Sequence, residues 1–164
     1  MIHLSIDSAR GPDFDAYRTY LDSVRHALAD HVYRFASDSR HYDPSSRESL
    51  HDAWLDRLVI REDASGDRQH VRRMAIDIDL LGPFHDRRIH LRYRGVHAYR
   101  FEIAEDTSAR CTHTAHGDLL MHEVRLRPQG GVIHELQFER RGTWLIECED
   151  FTHEQVMLPA SPAD

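Results

Sequence analysis

Cysteine is scarce: Cys111 and Cys148 are the only two in 164 residues. Two thiols exclude a disulfide framework, and a reduced, cytoplasmic protein is expected. Long apolar runs are missing as well. None approaches the roughly 18 residues of a membrane span, and Met1 to Asp7 has neither the basic start nor the apolar stretch of a secretory signal. Basic charge is in deficit, with 21 Lys+Arg against 28 Asp+Glu for a formal net charge of −7. That balance lacks the footprint of a nucleic-acid binder and suits attraction to a basic protein. No nucleophile elbow, phosphate-binding loop or dinucleotide fingerprint occurs, so no cofactor is expected.

What remains is a pattern of amphipathic elements. Hydrophobic residues make up 40% and charged residues 30%, which suits one globular domain over residues 1–157 with a flexible tail over 158–164. Phe14, Tyr17, Leu21, Val24, Leu28, Val32 and Phe35 recur at three- and four-residue steps. This predicts one amphipathic helix of about six turns, with Pro12 in its first turn and Asp13 and Asp15 at the positive end of its dipole. Ser45 and Glu48 match a capping box. Leu55 to Ile60 reads as a strand followed by a polar loop from Glu62 to Gln69.

The best-patterned element is a hairpin. Met74, Ile76, Ile78 and Leu80 alternate with polar residues, and Ile89, Leu91 and Tyr93 do the same after Gly82 to Asp86. Pairing Leu80 with Ile89 places Ile78 opposite Leu91 and Ile76 opposite Tyr93. The same register sets Asp77 opposite Arg92 and Asp79 opposite His90, so one pairing serves both faces. Gly95 marks a bulge. Val96 to Ile103, Leu119 to Leu126, Val132 to Phe138 and Thr143 to Cys148 complete the strands. The expected fold is α+β: an N-terminal helix packed on a mainly antiparallel sheet of about six to seven strands.

Three constellations could carry chemistry. Cys111, His113, His116 and Asp118 offer a thiolate, two imidazoles and a carboxylate within one loop, a mixed donor set for a transition metal. His122-Glu123 and His134-Glu135 lie on the two strands of the second hairpin. With Arg127 paired to Val132, His134 is diagonal to Glu123 and Glu135 to His122, so each face carries a His–Glu contact able to orient a base or to rim a binding surface. His51-Asp52 precedes the first core strand. The histidines, 14 in all, are otherwise scattered and expected at the surface.

The order of Leu50-His51-Asp52, Leu91 to Gly95, Met121 to Val124, Ile133 to Phe138 and Glu149 to Phe151 resembles small bacterial proteins found beside polymorphic and contact-delivered toxins. The resemblance spans residues 50 to 155. It implies an immunity factor that neutralises a toxin by direct contact, without catalysis. The alternatives are a small metal-dependent or His/Glu general-base hydrolase, and a structural module of a homo-oligomer such as a homodimer.

Overall fold

The structure is a computed structural model that describes residues 1–4, 6–7, 11–12, 14–103, 116–139 and 142–159. It is α+β. A two-stranded ladder of β1 (Ile6–Asp7) and β2 (Gly11–Pro12) precedes α1 (Phe14–Val24) and α2 (Asp30–Ser37). Six longer strands follow: β3 (Trp54–Ser65), β4 (Val71–Leu81), β5 (Arg87–Phe101), β6 (Leu119–Leu126), β7 (Val132–Phe138) and β8 (Thr143–Met157). They form one antiparallel sheet in the order β3-β4-β5-β8-β7-β6. Among the described residues no helix is long and apolar enough to cross a membrane.

The first hairpin pairs as its pattern requires, with Leu80 opposite Ile89, Ile78 opposite Leu91, Ile76 opposite Tyr93, Asp77 opposite Arg92 and Asp79 opposite His90. Its apolar face is fully buried. Its other face is a charge ladder. Asp79 accepts from His90 at 2.7 Å and pairs with Arg92 at 2.6 Å, while Asp77 accepts from Arg94 at 2.8 Å and also pairs with Arg61. The chain has no lysine, so every fixed cation on this face is a guanidinium, whose fork can serve two carboxylates at once.

The single long helix is not formed. α1 ends at Val24, a 3-10 turn spans Arg25–Ala27, and Leu28 and Ala29 are extended with ψ of 144° and 142° before α2 begins. The apolar stripe continues across the break, and Leu21, Leu28, Val32 and Phe35 are all buried. The two helices do different jobs. α1 covers the free edge of β6: the Tyr17 hydroxyl accepts from Val124 N at 2.8 Å and donates to Val124 O at 3.0 Å, and the Tyr20 hydroxyl accepts from Leu126 N at 2.8 Å. This satisfies an edge that would otherwise template aggregation. α2 packs on β8, two strands away, and one straight helix could not reach both.

The capping box is absent too. Ser45 bonds to Asp43 at 2.7 Å through its hydroxyl, and the Ser46 hydroxyl accepts from Glu48 N at 3.1 Å, so the segment is a chain of tight turns. β3 and β8 run further than expected, β3 to Ser65 and β8 to Met157. In β8 the buried positions switch from Trp144, Ile146 and Cys148 to Phe151. This parity change lies beside Gly95 (φ +58°), where an added Cβ would run into the Glu149 side chain. The β5–β8 register shifts nearby, between Val96 and Ala98, so the expected bulge bends the sheet here. Leu158 N donates to Asp86 O at 2.8 Å. Residues 160–164 of the expected tail lie outside the described residues.

Candidate functional site

The second hairpin pairs one residue away from the expected register. Leu126 lies opposite Val132, Val124 opposite His134, Glu123 opposite Glu135 and His122 opposite Leu136. The turn sets this: Gly130 and Gly131 both take positive φ, 91° and 87°, and Arg127 N donates to Gly131 O at 3.0 Å. A one-residue slip exchanges the faces. The His–Glu contacts are therefore replaced by a His–His pair on one face and a Glu–Glu pair on the other.

The imidazoles point toward the helices. His134 Nδ1 lies 2.7 Å from the Tyr93 hydroxyl and its Nε2 3.2 Å from His122 Nδ1. The hydroxyl needs an acceptor, so the network assigns Tyr93 as donor to His134, His134 as donor to His122, and a proton to His122 Nε2. Among the described residues that last nitrogen is buried without a partner. Phe35 of α2 sits at the centre of the cluster. Its ring lies 4.8 Å from His41, 5.1 Å from His122, 5.7 Å from His134, 5.3 Å from Phe151 and 4.8 Å from His153. Burial removes water from these rings and disfavours their cations. It lowers the pKa of His41 and holds His122 well below the usual range, and it brings His134 and His153 to about 3. Against the expectation of surface histidines, His41 is buried and His153 half-buried.

On the opposite face lies a compact charge cluster. The fully buried Glu123 carboxylate accepts the backbone N–H groups of Ile2 (3.1 Å), His3 (2.9 Å) and Leu4 (2.7 Å). Arg125 donates to Glu123 at 2.8 Å and to Glu135 at 2.7 Å, and Glu135 also pairs with the Met1 α-amino group at 2.5 Å. Burial pushes the Glu123 pKa up, but the hydrogen bonds from Leu4, Arg125, Ile2 and His3 outweigh it and the net shift is downward. Both glutamates are thus occupied in holding the N-terminal segment against the sheet.

Two clefts flank His41. One, of about 250 Å³, is lined by Phe14, His41, Tyr42, His51, Met121 and His122, so it unites two of the sequence candidates, His51 and His122. The other, of about 470 Å³, opens between α2 and the C-terminal half of β8, and Asp38, His41, Glu48 and His153 line it. Sequence reasoning missed this second group. Asp38 and His41 sit in a segment that reads as a polar break, and His153 lies beyond the expected end of the last strand.

Of the remaining candidates, the structure describes His51, Asp52, His116 and Asp118. Cys111 and His113 lie outside the described residues. His116 packs on Trp144 and Phe138 at 4.7 and 5.2 Å, and burial lowers its pKa. The Asp118 pKa is raised by burial and then by the charges of Glu139 and Asp52. Asp52 (φ +64°) anchors its loop through Asp52 N to Leu119 O at 2.8 Å, with its carboxylate 2.8 Å from His51 Nδ1.

A different surface stands out at the end of the sheet. Trp54, Leu81, Arg88 and Val156 form one row across β3, β4, β5 and β8. Trp54 and Val156 are exposed there, as are Phe84 at the hairpin tip and Met157 beside Val156. His85 meets the Trp54 ring at 4.5 Å, and Arg47 covers Phe84 at 4.9 Å. No family model, curated protein or solved structure matches the chain.

Proposed function

We propose that the chain is a non-enzymatic protein-binding module that engages a basic protein through the apolar end of its sheet, as an immunity factor blocks a toxin by direct contact. One observation supports this reading above the others: Trp54, Phe84, Val156 and Met157 are 47%, 46%, 43% and 63% exposed at the same end of the sheet. Clustered exposed aromatics serve as contact anchors, and they are costly to leave in water. Arg47–Asp86 and Arg88–Asp56 ion pairs, at 2.5 and 2.9 Å, stand beside them as a polar rim. The net charge of −7 would steer a basic partner toward the surface. The hairpin glutamates and the deepest histidines are already engaged in the core, which leaves this surface free to work.

The test is calorimetry of the untagged chain with the protein encoded by the neighbouring gene. The reading requires that protein to be basic and to bind. The Trp54→Ala/Phe84→Ala double variant is expected to weaken binding roughly 30-fold or more, about 2 kcal/mol. Absence of binding, or equal affinity in the double variant, overturns the reading.

A second reading, a small metal-dependent or general-base hydrolase, draws on the cleft near His41 and His51 where His122 Nε2 has no partner among the described residues. It would have to place substrate against an imidazole that is itself buried.

A further inference from the structure

Asp38 and His41 begin and end one turn. Asp38 caps the 3-10 helix Ser39–His41 by accepting from Arg40 N at 3.0 Å. Asp38 is the extended cap and His41 the last residue of this short turn, and the carboxylate and the imidazole come close together. Glu48 reaches the same point from the following loop. Leu50 N donates to His41 O at 3.0 Å, and Gln155 of β8 donates to Glu48 O at 2.9 Å. The turn and β8 therefore both hold the loop in place. One ligand atom from each of Asp38, His41 and Glu48 lies within 4.8 Å of the other two.

His41 is oriented for coordination. Its Nδ1 bonds to the Phe35 carbonyl at 2.9 Å, which makes Nδ1 the donor and leaves Nε2 with its lone pair. Metal-ligating histidines are fixed in this way by a carbonyl or carboxylate on the other nitrogen. The ring is buried. The His153 ring stands 4.8 Å from the His41 ring and lines the same 470 Å³ cleft.

We propose that Asp38, His41 and Glu48 form a binding site for a divalent transition metal, open on its fourth side to the cleft beneath His153. One imidazole with two carboxylates suits zinc, cobalt or manganese rather than a softer ion. Bonds of about 2.0–2.2 Å in a tetrahedral set leave ligand atoms about 3.4 Å apart, so closing by up to about 1.4 Å completes the site. The obstacle is Arg40. It bonds to Asp38 at 2.6 Å and pairs with Glu48 at 2.8 Å, so its guanidinium now neutralises both carboxylates. Its side chain is 59% exposed and can swing into solvent as the ion enters. Arg40 thereby competes with the metal and sets its affinity.

The experiment is titration of the untagged, chelator-treated chain with Zn²⁺ by calorimetry and with Co²⁺ by visible absorption. One equivalent is expected, with the d–d bands of a low-coordinate cobalt site. Glu48→Gln, at a half-exposed loop position, should weaken binding about tenfold or more while keeping the fold. Arg40→Ala should tighten it severalfold by removing the competing cation. His97→Ala, on the exposed part of β5, should change nothing. Absence of stoichiometric binding overturns the proposal. So does binding that is indifferent to both Glu48→Gln and Arg40→Ala, which would locate the ion at other histidines.

Discussion

Replacing Glu123 by alanine is expected to cost roughly 3–5 kcal/mol of folding stability, the usual range for breaking a buried ion pair from one side. The carboxylate is completely buried and takes hydrogen bonds from Ile2, His3, Leu4 and Arg125. Its removal orphans three backbone donors and leaves Arg125 with Glu135 alone. An orphaned buried donor costs about 1–3 kcal/mol unless water reaches it, and here the N-terminal segment can escape by peeling away. Stability should therefore fall together with protection of the Ile2, His3 and Leu4 amides. Glu135 faces Glu123 directly across the hairpin, an arrangement that repels unless a cation bridges it. Glu135→Ala, which removes that repulsion along with its own bonds, should cost less. Urea denaturation with hydrogen exchange reads both effects. A loss under about 1 kcal/mol for Glu123→Ala would show that the cluster does not hold the segment.

The second large effect is acid sensitivity above the carboxylate range. His134 and His153 have pKa values of about 3 in the folded chain, against about 6.5 when unfolded. The unfolded chain therefore binds protons below pH 6.5 that the folded chain refuses, and stability falls with falling pH from about 6.5 towards 3. Each pH unit in that window costs about 1.4 kcal/mol per histidine. At pH 5 the two groups together should remove roughly 4 kcal/mol, a large share of the 5–15 kcal/mol typical of a domain. His41 and His122 are shifted the same way and add to the slope. Denaturation midpoints of chelator-treated protein at pH 7 and pH 5 measure this. His134→Gln should flatten the profile by about one proton, and a wild-type profile level between those pH values contradicts the account.

The two hairpins show why some of this was readable in the sequence and some was not. β4 and β5 have one wet face and one dry face, so alternation of charge and apolar side chains admits a single register. β6 and β7 are buried on both faces, by the helices on one side and the N-terminal segment on the other. Val124, His122 and Glu123 are all under 2% exposed. With no wet face the alternation vanishes, and only the Gly130-Gly131 turn selects the pairing. The break at Leu28 and Ala29 carries no glycine or proline, and the apolar stripe runs through it unchanged. Its cause is tertiary, the need to cover β6 and then β8. The continuation of β8 was hidden by the parity change between Cys148 and Phe151, and His153 was hidden with it. The Asp38-x-x-His41 pair was visible as a spacing, but only the 3-10 turn gives that spacing a meaning.

These differences bear on function. Read as a sequence, the His-Glu hairpin could orient a general base or rim a binding surface. Folded, its histidines form part of an aromatic core and its glutamates clamp the chain's first residues. The proposed contact therefore rests on the exposed row at the end of the sheet, and the proposed metal site on the turn at His41. Long-range ¹H–¹⁵N NMR of the imidazole nitrogens tests the structural role of the hairpin most directly. The account predicts that His134 stays neutral, protonated on Nε2, from pH 7 down to the onset of acid unfolding, with His122 also protonated on Nε2. Titration of His134 near pH 6.5 in the folded protein would mean that water reaches it and would return the hairpin to candidacy as a catalytic base.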